Sequence, residues 1–307
     1  MRIIQSFWTL PMIKSRETVS NNRFSGGWLD LKYHLMSWTY SCLQLKHYYD
    51  RVELITDRAG RTLLIDELQL PYSRVDIVLD RLNDYDPEWW AIGKILAFSM
   101  QDTPFIHVDG DVFIWERFPE RIEKGRLVAQ NLEQGFPFYR AVMDALLADN
   151  AYIPRVITDG YAHNDSLHAF NAGIIGGNDI SFFRDFANEA FLFIRRNHAG
   201  LQHMPSGMIN AFYEQHLYYC MAKNRKIPVE CYSDIIDQDL LNLRLKSLWQ
   251  FQHAPVSTGY IHLFGEDAKK NFDICEELSG KLQSDYPRYY DRVMDIVGKT
   301  EENKIKI

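Results

Sequence analysis

Two carboxylates one residue apart close an apolar run in this chain. Pro104-Phe105-Ile106-His107-Val108 leads into Asp109-Gly110-Asp111, and Val112-Phe113-Ile114 follows. Alternate side chains of a strand share a face, so Asp109 and Asp111 are expected to point the same way, with Gly110 free to turn between them. Two carboxylates in an apolar setting repel each other and are costly to desolvate; a divalent cation removes both costs. Oxygen ligands suit magnesium, manganese or calcium, and an incomplete protein shell leaves room for a diphosphate. The chemistry this predicts is metal-assisted handling of a phosphorylated donor. A strand-to-turn junction carrying two solvated aspartates would give the same tripeptide.

Three later features add reactive groups. Phe170-Asn171-Ala172-Gly173-Ile174-Ile175-Gly176-Gly177 combines small residues, which let a backbone approach a ligand, with an amide that both donates and accepts. Glu214-Gln215 lies in an aromatic-rich helical run. Tyr260-Ile261-His262-Leu263-Phe264-Gly265, followed by Lys269 and Lys270, places an imidazole at the end of a short strand, where it can ligate a metal. Taken singly, each also fits a structural role: a buried strand with a turn, a solvated helix face, a hydrogen-bonded histidine. Asp159 and Asp165 offer two further carboxylates for such a site, though turn residues are the preferred reading of both. His198 and His203 lack the spacing of a metal-binding helical pair. Pairs such as Trp89-Trp90, Tyr218-Tyr219 and Tyr289-Tyr290 read as packing.

The elements that must position these groups alternate. Strands are expected over 3–8, 52–56, 74–79 and the run into Asp109. Helices are expected over 28–49, 62–68 and 88–100, the last with Pro87 at its start. This β-α-β-α-β-α-β order predicts an α/β fold with a mainly parallel central sheet flanked by helices, in which ligands bind at the carboxyl ends of strands. Further on, strands are expected over 126–131, 169–175, 227–232 and 260–263, and helices over 136–148, 180–196, 206–224, 268–282 and 286–297. The C-terminal part is mainly helical. One domain is expected over residues 1–297, with a frayed polar tail over 298–307.

The whole chain sets outer bounds. It has 307 residues, 46% of them hydrophobic and 14% aromatic, which is the composition of a folded globular protein. Its net charge of −7 argues against a general nucleic-acid binder. Cys42, Cys220, Cys231 and Cys275 form no C-x-x-C pair and read as reduced thiols. Neither a signal-peptide core nor a bilayer-spanning run is visible, so the expected location is cytoplasmic, with peripheral membrane contact left open.

In combination, the motif order resembles that of sugar-nucleotide glycosyltransferases of the A-type (GT-A) fold, in the retaining group containing glycogenin and bacterial lipooligosaccharide galactosyltransferases. That group carries an apolar strand ending in D-x-D, then F-N-A-G or F-N-S-G, then D-Q on a helix, then H-x-x-G-x-x-K. The matching residues are Asp109 and Asp111, Phe170 to Gly173, Glu214-Gln215, and His262 with Gly265. The resemblance spans residues 1–275 as motif order. It implies a manganese or magnesium ion held by Asp109, Asp111 and His262. It implies donor contacts from Lys94, from Thr9 in the loop after the first strand, and from Gly265 and Lys269. It places Asn171 and Glu214 as catalytic residues facing the sugar or the acceptor. The partners implied are a nucleotide diphosphate sugar and a hydroxyl acceptor. Three departures stand out: Glu-Gln replaces D-Q, Ala268 stands where the lysine is expected with Lys269 one place late, and a K-P-W ending is absent. A catalytically silent nucleotide- or partner-binding protein is therefore the alternative. A haloacid-dehalogenase-type phosphatase also begins with D-x-D, but Phe113 stands where it needs threonine or valine, and three strands precede the aspartates.

Overall fold

The computed structural model describes residues 1–16, 24–161, 167–197, 204–233 and 259–301. Asp165, His198, His203 and residues 302–307 lie outside this set. In chain order the strands are β1 (Ile3–Phe7), β2 (Val52–Thr56), β3 (Arg74–Ile77), β4 (Phe105–Val108), β5 (Val112–Ile114), β6 (Leu127–Ala129), β7 (Leu132–Glu133), β8 (Ala169–Phe170), β9 (Ile174–Gly177), β10 (Val229–Cys231) and β11 (Tyr260–His262). The fold class is α/β, as expected. The chain divides into two compact units: Arg2–Asn83 with Val108–Arg117 and Arg244–Ile307, and Asp84–His107 with Phe118–Leu243.

In the first unit β1, β2 and β3 run parallel, with Ile3 opposite Val52 and Glu53 opposite Arg74. β5 pairs antiparallel with β11, so His262 stands opposite Val112. Helix Leu31–Tyr48 is started by Asp30, whose side chain accepts from Lys32 N. The sequence suggests one buried stripe on this helix, through Leu31, Leu35, Trp38, Cys42 and Leu45. The structure also buries Tyr33, Met36, Tyr40 and Leu43. Two C-terminal helices, Phe272–Asp285 and Pro287–Glu301, pack on it and cover the other faces. Tyr40 OH donates to Asp285 Oδ2 at 2.9 Å, and Tyr33 OH to Glu276, so the tyrosines are buried without orphaning their hydroxyls. The last helix runs through Glu301, past the expected fraying point at Gly298. Thr300 is buried there and donates to Ile296 O at 2.8 Å.

In the second unit β10, β6, β9 and β4 are neighbours in that order. β10 and β6 are parallel; β6 and β9 are antiparallel. Gly176 is needed where β9 passes β4, because a Cβ there would lie 2.2 Å from Phe105 O. Phe98, Phe105, Phe183 and Tyr218 form an aromatic core between helices Ile92–Ser99, Ile180–Asn197 and Leu217–Asn224. The strand expected over 169–175 is broken at Asn171, whose Oδ1 accepts from Gly173 N at 2.9 Å and turns the chain. Asp159 is not a turn residue. It lies on helix Arg155–Tyr161, in an exposed ion pair with Arg155. The helical run expected over 206–224 is interrupted by a π-helical segment, Phe212–His216. Among the described residues, no helix is long and apolar enough to cross a membrane.

Candidate metal centre and a second polar cluster

Asp109 and Asp111 do not lie in a strand. β4 ends at Val108, and Asp109 O accepts from Val112 N at 3.1 Å, closing a turn. Strand alternation is therefore not what aims the two carboxylates. Helix Leu31–Tyr48 holds the turn instead. Ser37 Oγ donates to Gly110 O at 2.7 Å and Ser41 Oγ to Val112 O at 2.7 Å. Gln5 Nε2, on β1, lies 3.4 Å from Asp109 O, and Tyr72 OH fixes the other end of that amide at 2.7 Å. Gly110 fits because Trp38 lies flush against it; a Cβ would meet the indole at 2.5 Å. The β5–β11 pairing then delivers His262, and Leu263 N donates to Asp111 O at 3.0 Å.

One ligand atom each from Asp109, Asp111 and His262 lies within 4.8 Å of the others. His262 Nε2 is 3.3 Å from Asp111 Oδ1, and Lys269 Nζ is 2.6 Å from Asp111 Oδ2. Gly265, at φ +77°, starts the short helix Gly265–Lys269 that brings the lysine back. The shift of lysine by one place has a local reason. Ala268 is buried in the core, whereas Lys269 faces Asp111. Burial alone would raise the Asp111 carboxyl, but Lys269 and then His262 hold it well below the usual carboxylate range. His34 is a member of this site that the sequence did not single out. Burial, with the Lys269 charge nearby, pushes its imidazole down to about 3 against the opposite pull of Asp111. Two carboxylates and one imidazole are a donor set that fits manganese, and magnesium less closely, since imidazole is a softer ligand than carboxylate or water.

Thr9 lies in the same unit but is engaged with another group. Its N and Oγ1 both donate to Asp57 Oδ2 at 2.7 Å, and Gly60 N donates to Asp57 Oδ1 at 2.7 Å. Burial raises the Asp57 carboxyl in spite of these bonds.

The second unit brings Lys94, Asn171 and Glu214 together. Lys94 Nζ is 2.6 Å from Glu214 Oε1 and donates to Ala172 O at 3.3 Å. Asn171 Nδ2 donates to Glu133 Oε1 at 2.7 Å; Tyr139 OH donates to Glu133 Oε2 at 2.7 Å and lies 3.1 Å from Gln215 Oε1. All these side chains but Lys94 and Gln215 are buried. Glu133 and Tyr139 are members of this cluster that the sequence does not single out; the available signal is an acid four residues beyond the apolar run Leu127-Val128-Ala129. Burial, then the Glu133 charge, pushes the Tyr139 hydroxyl well above its ordinary range. Burial and the nearby Lys94 charge push the His107 imidazole well below its own.

A family model described as "Family of unknown function (DUF6734)" matches residues 1–296. The chain belongs to this family. No curated protein matches the DUF6734 chain. Solved structures similar to it include an active-site mutant of LgtC, at 10% identity and TM-score 0.38, covering 69% of this chain and 70% of that one. They also include the apo-form glycosyltransferase GlyE of Streptococcus pneumoniae TIGR4, at 9% identity and TM-score 0.43, covering 96% of this chain and 63% of that one. The DUF6734 chain thus spans less than two thirds of GlyE. The inositol-1-phosphate CTP transferase from T. maritima is similar at 11% identity and TM-score 0.37, covering 92% and 97%.

Proposed function

We infer that the protein is a metal-dependent glycosyltransferase, moving a sugar from a nucleotide diphosphate donor to a hydroxyl acceptor. The observation that carries this reading is the convergence of Asp109, Asp111 and His262 within 4.8 Å at the end of β4. The order of the D-x-D, F-N-A-G, E-Q and H-x-x-G segments supports it. Asp109, Asp111 and His262 would hold manganese or magnesium. Bound there, the ion would neutralise the donor diphosphate and stabilise the departing nucleotide. Lys94, Thr9, Gly265 and Lys269 would contact the donor. Glu214 and Asn171 would face the sugar or the acceptor, with Glu214 oriented by Lys94 and Asn171 by Glu133. Four unpaired thiols suit a cytoplasmic location.

The test is transfer or hydrolysis of a panel of nucleotide sugars with and without manganese, for the wild type, Asp111→Asn and Glu214→Gln. Asp111→Asn should abolish manganese-dependent nucleotide binding with the fold retained by circular dichroism. Glu214→Gln should lower turnover by about 100-fold with little change in donor affinity, because a contact made mainly in the transition state is lost. Equal nucleotide affinity in Asp111→Asn and the wild type would refute the metal site. Tight manganese and nucleotide binding without turnover of any donor would identify a silent binding protein.

A further inference from the structure

Lys269 stands on the carboxylate that the metal centre needs. The two oxygens of Asp111 are divided: Oδ1 faces His262 Nε2 at 3.3 Å, and Oδ2 carries the Lys269 ammonium at 2.6 Å. The ammonium is held there from several sides. Leu29 N donates to Lys269 O at 3.0 Å, fixing the backbone that bears it, and the ammonium lies 5.8 Å from the centre of the Trp28 ring. The Lys269 and Asp111 side chains are only 17% and 15% exposed, so solvent screens the pair weakly. His34 also faces the pair, and burial keeps it neutral. Asp111 therefore offers an incoming cation a carboxylate whose charge is already cancelled.

We propose that Lys269 leaves the centre too poor in negative charge to bind a divalent ion well by itself, so that the ion and the diphosphate of a donor bind as a coupled pair. This rests on reading the centre as the metal site of a diphosphate donor. An ion on Oδ1 would sit on the order of 5 Å from the ammonium, and repulsion at that distance lowers affinity by roughly tenfold or more. A diphosphate brings the missing negative charge and offsets both cations. Because linkage is reciprocal, the ion must strengthen diphosphate binding by the factor by which diphosphate strengthens ion binding.

The experiment titrates manganese into the full chain and follows the free ion by electron paramagnetic resonance, with and without UDP, GDP, ADP or CDP. The wild type, Lys269→Met, Lys269→Arg and Asp111→Asn are compared. Lys269→Met should bind manganese alone about tenfold tighter than the wild type or better, and its gain from the best nucleotide should shrink by a similar factor. Lys269→Arg keeps the charge and should behave as the wild type. Gain of affinity on losing a side chain is a result that damage to the fold does not produce. Unchanged or weaker manganese binding in Lys269→Met, with Asp111→Asn still abolishing it, would overturn the proposal and leave the metal site standing. Tighter manganese binding with an undiminished nucleotide effect would overturn the coupling. No manganese binding by any form, with or without nucleotide, would overturn both readings.

Discussion

Gly110→Ala tests whether helix Leu31–Tyr48 holds the aspartate turn in place. An added Cβ would lie 2.5 Å from Cδ2 and Cε2 of Trp38 and 2.8 Å from Cζ2. These are ring atoms, not the end of a flexible chain. The indole has little room to retreat: it is 8% exposed, and its ring centre is 4.7 Å from that of Phe7. Nor is the turn free, since Ser37 Oγ holds Gly110 O at 2.7 Å. Overpacking of this kind costs about 1–3 kcal/mol, which for a chain of this size lowers Tm by roughly 1.5–5 °C. Urea unfolding followed by circular dichroism reads the cost, and manganese titration reads displacement of the carboxylates, with a loss of affinity expected. Gly280→Ala is the control. It lies in helix Phe272–Asp285 where a Cβ meets nothing within 4 Å, so it should stabilise by about 0.5–1 kcal/mol. In a Trp38→Phe background, which removes part of the obstructing ring, Gly110→Ala should cost about 1 kcal/mol less. A Gly110→Ala protein of wild-type stability and manganese affinity, or an equal cost in both backgrounds, would refute the reasoning.

Acid should destabilise the protein through its buried neutral histidines. Burial pushes His216 down to about 4, so its contribution is full above its ordinary value of about 6.5 and is lost as pH falls from there through 4, about 3 kcal/mol at most. His216→Gln, whose amide can still donate to His168 O, should flatten the fall between pH 7 and 4 in urea melts; equal slopes would show that His216 is not its source. Lys94→Met should cost about 3 kcal/mol, because it strips the ammonium from a Glu214 side chain only 7% exposed. The double variant Lys94→Met/Glu214→Leu should recover much of that loss, and simple additivity would show the pair to be uncoupled.

The parts of the fold legible in the sequence are those whose signal is local. β1, β2 and helix Leu31–Tyr48 declare themselves by apolar runs of the right period, and all three lie within two or three residues of their expected bounds. The short helices Leu10–Arg16 and Arg155–Tyr161 do not, because seven residues give too few turns for a periodic signal. The break at Asn171 was hidden for a different reason. Ala169 to Ile175 reads as one apolar run, and only the side-chain bond to Gly173 N divides it. In the candidate centre the residue types were legible and the reason for their convergence was not. Asp109 and Asp111 are aimed by a turn clamped through Ser37, Ser41 and Trp38, contacts that sequence spacing does not encode. Glu133 and Tyr139 went unnoticed for the same reason. Each is an ordinary residue locally and becomes distinctive only when buried against Asn171 or Gln215.

The departures from the expected motifs read differently once the packing is known. Glutamate at 214 is one methylene longer than the aspartate of the resembled group. It sits in the π-helical segment Phe212–His216, where the wider turn changes the direction of its side chain relative to a continuous α-helix. From there Oε1 reaches Lys94 Nζ at 2.6 Å, across to helix Ile92–Ser99. An aspartate on the same backbone would end about 1.5 Å short, the length of one carbon–carbon bond. Lys94 in turn donates to Ala172 O, in the turn that Asn171 shapes. The extra methylene, the π segment and the lysine are thus mutually fitted. Removing either partner alone would leave an uncompensated buried charge, at a cost of several kcal/mol. The longer side chain at 214 is thus accounted for by its lysine partner, and turnover of Glu214→Gln decides between a transferase and a silent binding protein.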